Sequence, residues 1–129
     1  MNESFNTEVI SPEKKLLTDK TSSVTIPAFE GEMTILSNHT SLITFLRPGI
    51  IKIIGNKEIQ YFVEEGTVEF SNNNLAILSS TIIEFSDLSK EKISKMIEES
   101  KSQLNEENLD DKKRYVASHK VDCLSRINL

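Results

Sequence analysis

Cysteine occurs once in the 129 residues, at position 123, which excludes an internal disulfide framework and fits a reducing compartment. Glycine occurs four times, at 31, 49, 55 and 66, so neither a GxxxxGK(S/T) phosphate loop nor a GxGxxG fingerprint can be assembled. HExxH, CxxC and GxSxG elements are absent too, and a nucleotide hydrolase acting alone is disfavoured. Basic side chains are in deficit: 15 Lys and Arg stand against 20 Asp and Glu, a net charge of −5. That balance speaks against a general nucleic-acid binder, which needs positive surface to displace counterions. No apolar run approaches the ~18 residues of a membrane span, and the richest, Ile50–Ile54, is broken by Lys52. Met1-Asn2-Glu3-Ser4 opens neither a signal-peptide pattern nor an Arg-rich leader. What remains is 37% hydrophobic and 27% charged, the composition of one folded core with room for a small appendage.

Charge divides the chain unevenly. Residues 1–86 hold 6 basic and 11 acidic side chains, a balance of −5. Residues 87–109 hold 4 and 6, or −2, and residues 110–129 hold 5 and 3, or +2. The vocabulary changes near the same boundary. From Phe5 to about Phe85, short runs of Val, Ile, Thr and Phe alternate with turn residues every 8–12 positions, the pattern of a β-sandwich. Ile59, Tyr61 and Val63 alternate against Gln60 and Glu64, while Phe62 predicts partial cover on that strand's other face. Gly55-Asn56 and Ser71–Asn74 read as hairpin turns, and Pro12, Pro27 and Pro48 as strand ends or edges. After Asp87, Ile93, Met96, Ile97 and Leu104 recur at helical spacing, with Ser100 interrupting the stripe. Polar Asn105–Asn108 then precede a second helix from about Leu109. On its wheel Val116, Ala117, Val121, Cys123, Leu124 and Ile127 share roughly 160° of arc, with Lys120 inside it. The expected architecture is β then α: a sandwich over 1–86 and a helical hairpin over 87–129, thinly apolar and therefore mobile.

Several constellations have an ordinary explanation. His119 and Cys123 stand at metal-ligand spacing, but zinc takes three or four ligands and no others accompany them, so no metal site is expected. Neither histidine with Cys123 has an orienting third group for nucleophilic work. Asn2-Glu3-Ser4 and Asn38-His39-Thr40 match the glycosylation sequon without a secretory signal. The doublets Glu64-Glu65, Glu98-Glu99, Glu106-Glu107 and Asp110-Asp111 point their carboxylates apart, as on a solvated surface. Phe29–His39 is different: Gly31 between Glu30 and Glu32 reads as a tight acidic turn, followed by a short strand and a polar loop with His39. An ordinary acidic β-turn explains it on composition; a charged loop that meets a partner explains it on function.

At this segment the chain resembles the ε subunit of F-type ATP synthases, whose pattern runs GEIGILPGHAPL. Gly31, Glu32, Ile35, Leu36, His39 and Leu42 agree, and Ser37-Asn38 replaces Pro-Gly. Further matches follow in order. Val9-Ile10-Ser11-Pro12 is similar to the family's VxTP-like strand end, and Arg47–Ile53 to its KPGxxRI run. Glu65–Phe70 is similar to SGGxLEV with the first glycine lost, and Leu75–Leu78 to VTILA. The similarity covers nearly all of residues 5–98.

The resemblance implies a ten-stranded β-sandwich followed by an antiparallel α-helical hairpin, in a central-stalk subunit without catalysis or cofactor of its own. It implies that the sandwich binds the γ subunit and the c-subunit ring, with Glu30, Gly31 and Glu32 and the neighbouring loop at His39 facing those partners. It implies that the hairpin is regulatory and restrains ATP hydrolysis through the β and α subunits, which the basic residues Lys112, Lys113, Arg114, Lys120 and Arg126 would meet. An equally open reading is that these charges merely solvate a helix. ATP-binding relatives carry (I/L)DxxRA where this chain has Leu88-Ser89-Lys90-Glu91-Lys92-Ile93. Ser89, Lys92 and Ile93 depart from that motif: an acceptor is lost, Lys lacks the planar fork of Arg, and Ile93 is bulky, so no tight nucleotide site is expected. Membrane association would be peripheral, through partners, at the cytoplasmic face of a bacterial plasma membrane. The alternative is a stand-alone β-sandwich, ligand-binding or adaptor, with a helical tail; no convergent His/Asp/Ser or metal set supports an enzyme.

Overall fold

The computed structural model describes residues 3–128; Asn2, the asparagine of the first sequon, lies outside the described residues. Ten strands come first: β1 (Phe5–Ile10), β2 (Lys15–Thr21), β3 (Ser23–Ala28), β4 (Gly31–Leu36), β5 (Leu42–Leu46), β6 (Gly49–Ile54), β7 (Glu58–Val63), β8 (Gly66–Ser71), β9 (Asn74–Leu78) and β10 (Ile83–Glu84). A 3-10 turn at Phe85–Asp87 leads into α1 (Lys90–Leu104) and α2 (Asp111–Arg126).

The hydrogen-bonded order is β10-β7-β6-β3-β5-β8-β9-β1-β2, with β4 paired to β3 off this path. β3 joins the two layers. Its first half, Ser23–Thr25, pairs with β6, whereas Ala28 at its end pairs with Leu46 of β5. One layer therefore contains β10, β7, β6, β3 and β4; the other contains β5, β8, β9, β1 and β2. Inward residues of both, among them Val24, Ile26, Ile51, Ile53, Val63, Val68, Phe70 and Ile77, form one core. All pairings are antiparallel except β1 with β9.

The turns form where expected. Asn72 and Asn73, at φ 50° and 56°, turn β8 into β9, and Gly55 lies in the β6–β7 connection. Pro27 lies one residue before the end of β3, paired with Glu32 of β4. The position is tolerated because its other side faces the gap where β3 leaves β6 for β5. There Pro27 needs only its carbonyl, which accepts from the Arg47 amide at 2.9 Å.

The helices close over the outer face of the first layer. Phe62, Leu88, Ile93 and Leu124 are buried together, with Ile50, Ile83, Phe85, Met96, Ile97, Cys123 and Ile127 packed around them. Phe62, the residue out of phase with its strand, is thus the sandwich's contribution to a second, smaller core. Ser100 does not interrupt the α1 stripe; it is buried, as is Ala117 of α2, and small residues there let the helices approach. Ser89 caps α1 by accepting from the Lys92 amide at 3.2 Å, and Asp110 caps α2 by accepting from the Lys113 amide at 2.7 Å. Among the described residues no helix is long and apolar enough to cross a membrane.

Candidate functional site

The acidic segment splits into two places. Phe29 and Glu30 form the β3–β4 turn, and Gly31, at φ 141°, takes a conformation that favours glycine. β4 then carries the chain away, so the His39 loop emerges at the opposite end of the sandwich, about 17 Å off at ~3.4 Å per residue. Glu30, Gly31 and Glu32 share one end with Arg47-Pro48 and Glu64-Glu65, turns that the β6–β7 and β5–β8 registers bring there. The structure does not bring His39 to that surface. His39 instead bonds the Thr40 carbonyl through Nδ1 at 2.7 Å and meets the Phe70 ring edge-on at 6.0 Å. Its loop is clipped to the β8–β9 turn: the Asn38 amide donates to Asn73 Oδ1 at 2.7 Å, and Asn73 Nδ2 donates to Asn38 Oδ1 at 3.0 Å. Asn38, at φ 65°, stands where the family pattern has glycine.

Among the described residues, most of the outer face of the second layer is left uncovered. Register aligns Phe45 with Thr67, Thr67 with Leu78 and Leu78 with Ile10, giving a row across β5, β8, β9 and β1. A second row runs Ile43, Glu69, Ala76 and Glu8. Ile43 is 73% exposed, Phe45 59% and Leu78 42%, a large apolar exposure for three neighbouring side chains. Sequence reading did not single out these residues, although Ile43 and Phe45 alternate with Leu42, Thr44 and Leu46 as a strand with two apolar faces. The first row continues into a groove of about 780 Å³, closed on the far side by Phe29, Lys112 and Val116.

Among the described residues, two basic residues of α2 form ion pairs and three do not, although Arg114 Nη1 donates to the Leu104 carbonyl at 3.5 Å. Lys120 has a side chain only 16% exposed and forms an ion pair with Glu64 of the β7–β8 turn. Arg126 pairs with Asp122 one turn back at 3.3 Å. Lys112, Lys113 and Arg114 are exposed at the start of α2, where the helix dipole opposes them and Asp110 and Asp111 offset it. Nearby, the Tyr115 hydroxyl donates to the Phe29 carbonyl at 2.9 Å, its ring stacks on Phe29 at 4.8 Å and 6°, and His119 tilts against it at 4.3 Å.

A smaller cleft of about 270 Å³ lies between α2 and the β5–β6 turn, lined by Arg47, His119, Asp122, Cys123 and Arg126 among others. Burial and then Arg47 hold the His119 pKa below its usual value, against the pull of Asp122. Burial and then Asp122 push the Cys123 thiol up to about 11, against Arg126. That thiol is protonated at neutral pH, the opposite of an activated nucleophile or metal ligand. Where the nucleotide motif aligns, the side chains are occupied otherwise: Ser89 caps α1, Lys92 Nζ donates to the Asp87 carbonyl at 2.9 Å, and Leu88 and Ile93 are buried.

Residues 4–85 match the family described as ATP synthase, Delta/Epsilon chain, beta-sandwich domain. The ATP synthase epsilon chain of Pelagibacter ubique is 42% identical over an alignment covering 99% of this chain and all of that protein. That of Allorhizobium ampelinum is 33% identical over 82% of this chain and 80% of its own length. Among solved structures, a chain of the Euglena gracilis mitochondrial ATP synthase (OSCP, F1 and c-ring) superposes with a TM-score of 0.75. It is 21% identical, with 95% of this chain and 78% of that one covered. A chain of the Tetrahymena thermophila mitochondrial ATP synthase central stalk and c-ring gives 0.62 at 18% identity, with 94% and 93% covered. The sandwich, the helical pair and the near-complete bacterial alignments agree: the chain belongs to the ATP synthase epsilon-chain family.

Proposed function

We propose that this chain is a non-catalytic central-stalk subunit whose bare outer sheet face docks on the γ subunit. In this reading, the Glu30-Gly31-Glu32 turn meets charged loops of the c ring and the hairpin over 87–129 regulates hydrolysis. The exposed Phe45 and Leu78, in one row with the half-buried Ile10 and with Ile43 beside them, carry the reading. Burying such side chains contributes about 1.5–3 kcal/mol each, whereas exposed ion pairs at the acidic turn contribute about 0–1 kcal/mol. Affinity therefore resides on the sheet face, and register against the ring resides in the turn. His39, at the other end of the sandwich and four residues before Ile43, goes with the γ surface rather than the ring surface. Lys112, Lys113 and Arg114, with the exposed Arg126, are the part of the basic tail available to acidic β or α surface while the hairpin is docked as seen; Lys120 becomes available when the hairpin leaves Glu64. Ser89, Lys92 and Ile93 already cap and pack α1, which supports a chain without a tight ATP site. Attachment to the membrane is then peripheral, through γ and the ring on the cytoplasmic side.

Co-expression with γ tests the docking face. Phe45→Glu combined with Ile43→Glu should abolish co-purification with γ while circular dichroism stays native; retention of γ at native yield would refute the assignment. Deletion of residues 87–129 tests the hairpin, with assembly expected to persist and ATP hydrolysis to rise. Unchanged hydrolysis would remove the regulatory part of the reading.

A further inference from the structure

We propose that Tyr115 is a positioning residue for the acidic β3–β4 turn, so that docking of the hairpin and engagement of the turn by a partner are thermodynamically coupled. The turn is the two-residue loop beyond the Ala28–Gly31 pair, and its side chains lie outside the sandwich core. Phe29 is 39% exposed rather than in the sandwich core, Glu30 is exposed, and Gly31 adopts a glycine conformation. Within the sandwich the Phe29 amide donates to the Phe45 carbonyl at 2.9 Å. The rest of the support for Phe29 comes from a residue 86 positions away: Tyr115 both accepts its ring in a near-parallel stack and donates to its carbonyl. Phe29 adjoins Glu30, so whatever moves the Phe29 carbonyl moves the carboxylate that follows it.

The same contacts serve α2. Its C-terminal half is anchored by Leu124 and Ile127 in the small core with Phe62 and Ile93, whereas its N-terminal half is exposed at Asp111–Arg114 and first meets the sandwich at Tyr115. Lys120 and Glu64 add an ion pair one turn further on. Tyr115 therefore belongs at once to the turn and to the less anchored half of the hairpin. Coupling of this kind is reciprocal: a partner that draws Phe29 away from Tyr115 weakens docking of α2 by the same factor by which undocking loosens the turn. Resting on the proposed ring contact at Glu30–Glu32, this makes the turn a sensor whose state reaches the hairpin through one side chain.

Amide hydrogen exchange on the isolated full chain tests the coupling without the ring, so its failure is distinguishable from failure of the ring contact. Tyr115→Phe keeps the stack and loses the hydrogen bond, which should speed exchange over residues 26–32 about fivefold. Tyr115→Leu loses both and should speed it about tenfold or more. In the reverse direction Phe29→Leu should speed exchange over residues 111–118. The proposal is overturned if Tyr115→Leu accelerates α2 and leaves the turn at its native rate, or if Phe29→Leu leaves α2 unchanged. Tyr115→Phe retains the ring and supplies the decision if the leucine variant loses its fold.

Discussion

Removing Ile93 should release the single cysteine. Ile93 is buried with Phe62, Leu88 and Leu124 in the small core that fastens the hairpin to the sandwich, and Cys123 lies in the shell of that core. Two effects restrain Cys123. Its thiol is pushed from the ordinary 9.0 up to about 11, so at pH 8 the reactive thiolate is about a hundredfold scarcer than in an unfolded chain. The side chain is also only partly exposed, on the cleft between α2 and the β5–β6 turn, and gains full access when the hairpin opens. Ile93→Ala removes buried methyl groups and leaves a cavity, at a cost of about 2 kcal/mol at the lower end of such substitutions, because α1 borders solvent and can relax. If opening and closing are fast relative to alkylation, the rate follows the open population and should rise about 30-fold. Iodoacetamide labelling followed by intact mass spectrometry reads this directly. Ile77→Ala is the control: it sits in the main core, costs global stability of similar size, and should change the Cys123 rate less than twofold while the protein stays folded. Equal acceleration by both variants, or none by Ile93→Ala, would refute a hairpin held by its own separable core.

Gly66→Ala should lower the urea midpoint through a loss of about 1–3 kcal/mol, because the added Cβ would run into the Leu78 carbonyl and approach Ser79 Cβ to 3.0 Å. A midpoint at the native value would show that the β7–β8 turn yields. His119 gives a pH dependence: its folded pKa lies below the unfolded value, so the folded state binds fewer protons and stability falls as pH drops through about 6.5, with no contribution above. Urea unfolding at pH 7.5 and 5.5 should show a smaller drop for His119→Gln than for the native chain; parallel drops would contradict the assignment. Calorimetric titration with ATP should give no micromolar binding, since Ser89, Lys92 and Ile93 already cap and pack α1. A micromolar Kd would contradict it.

Local chemistry made much of the fold legible. Asparagine, which tolerates positive φ, marked the β8–β9 turn, the switch to helix formers after Asp87 marked the start of the hairpin, and alternation at Ile59, Tyr61 and Val63 gave the inward face of β7. Phe62, the exception to that alternation, already implied the cover that α1 and α2 supply. Tertiary relations were less visible. Ser100 looked like a break in an apolar stripe because hydropathy does not register that a close helix seam selects small side chains. Pro27 read as a strand end or edge, but the gap between β6 and β5 that makes it one is set by register, which no local pattern encodes. Lys120 inside an apolar arc became intelligible only with Glu64 opposite it. The separation of Glu30 from His39 was available from the strand between them, since six extended residues carry the chain across the sandwich. Tyr115 left no signal, because its partner is a backbone carbonyl remote in sequence.

In the proposed assembly this chain sits in the central stalk, on γ and against the c ring. Extraction of the membranes in mild detergent, followed by purification through a tag on this chain, tests it most directly. γ and the c ring should elute with the tagged chain, and γ should be lost from the Phe45→Glu, Ile43→Glu variant. Elution of the native chain without γ and the c ring, from membranes whose ATP synthase remains assembled, would contradict it.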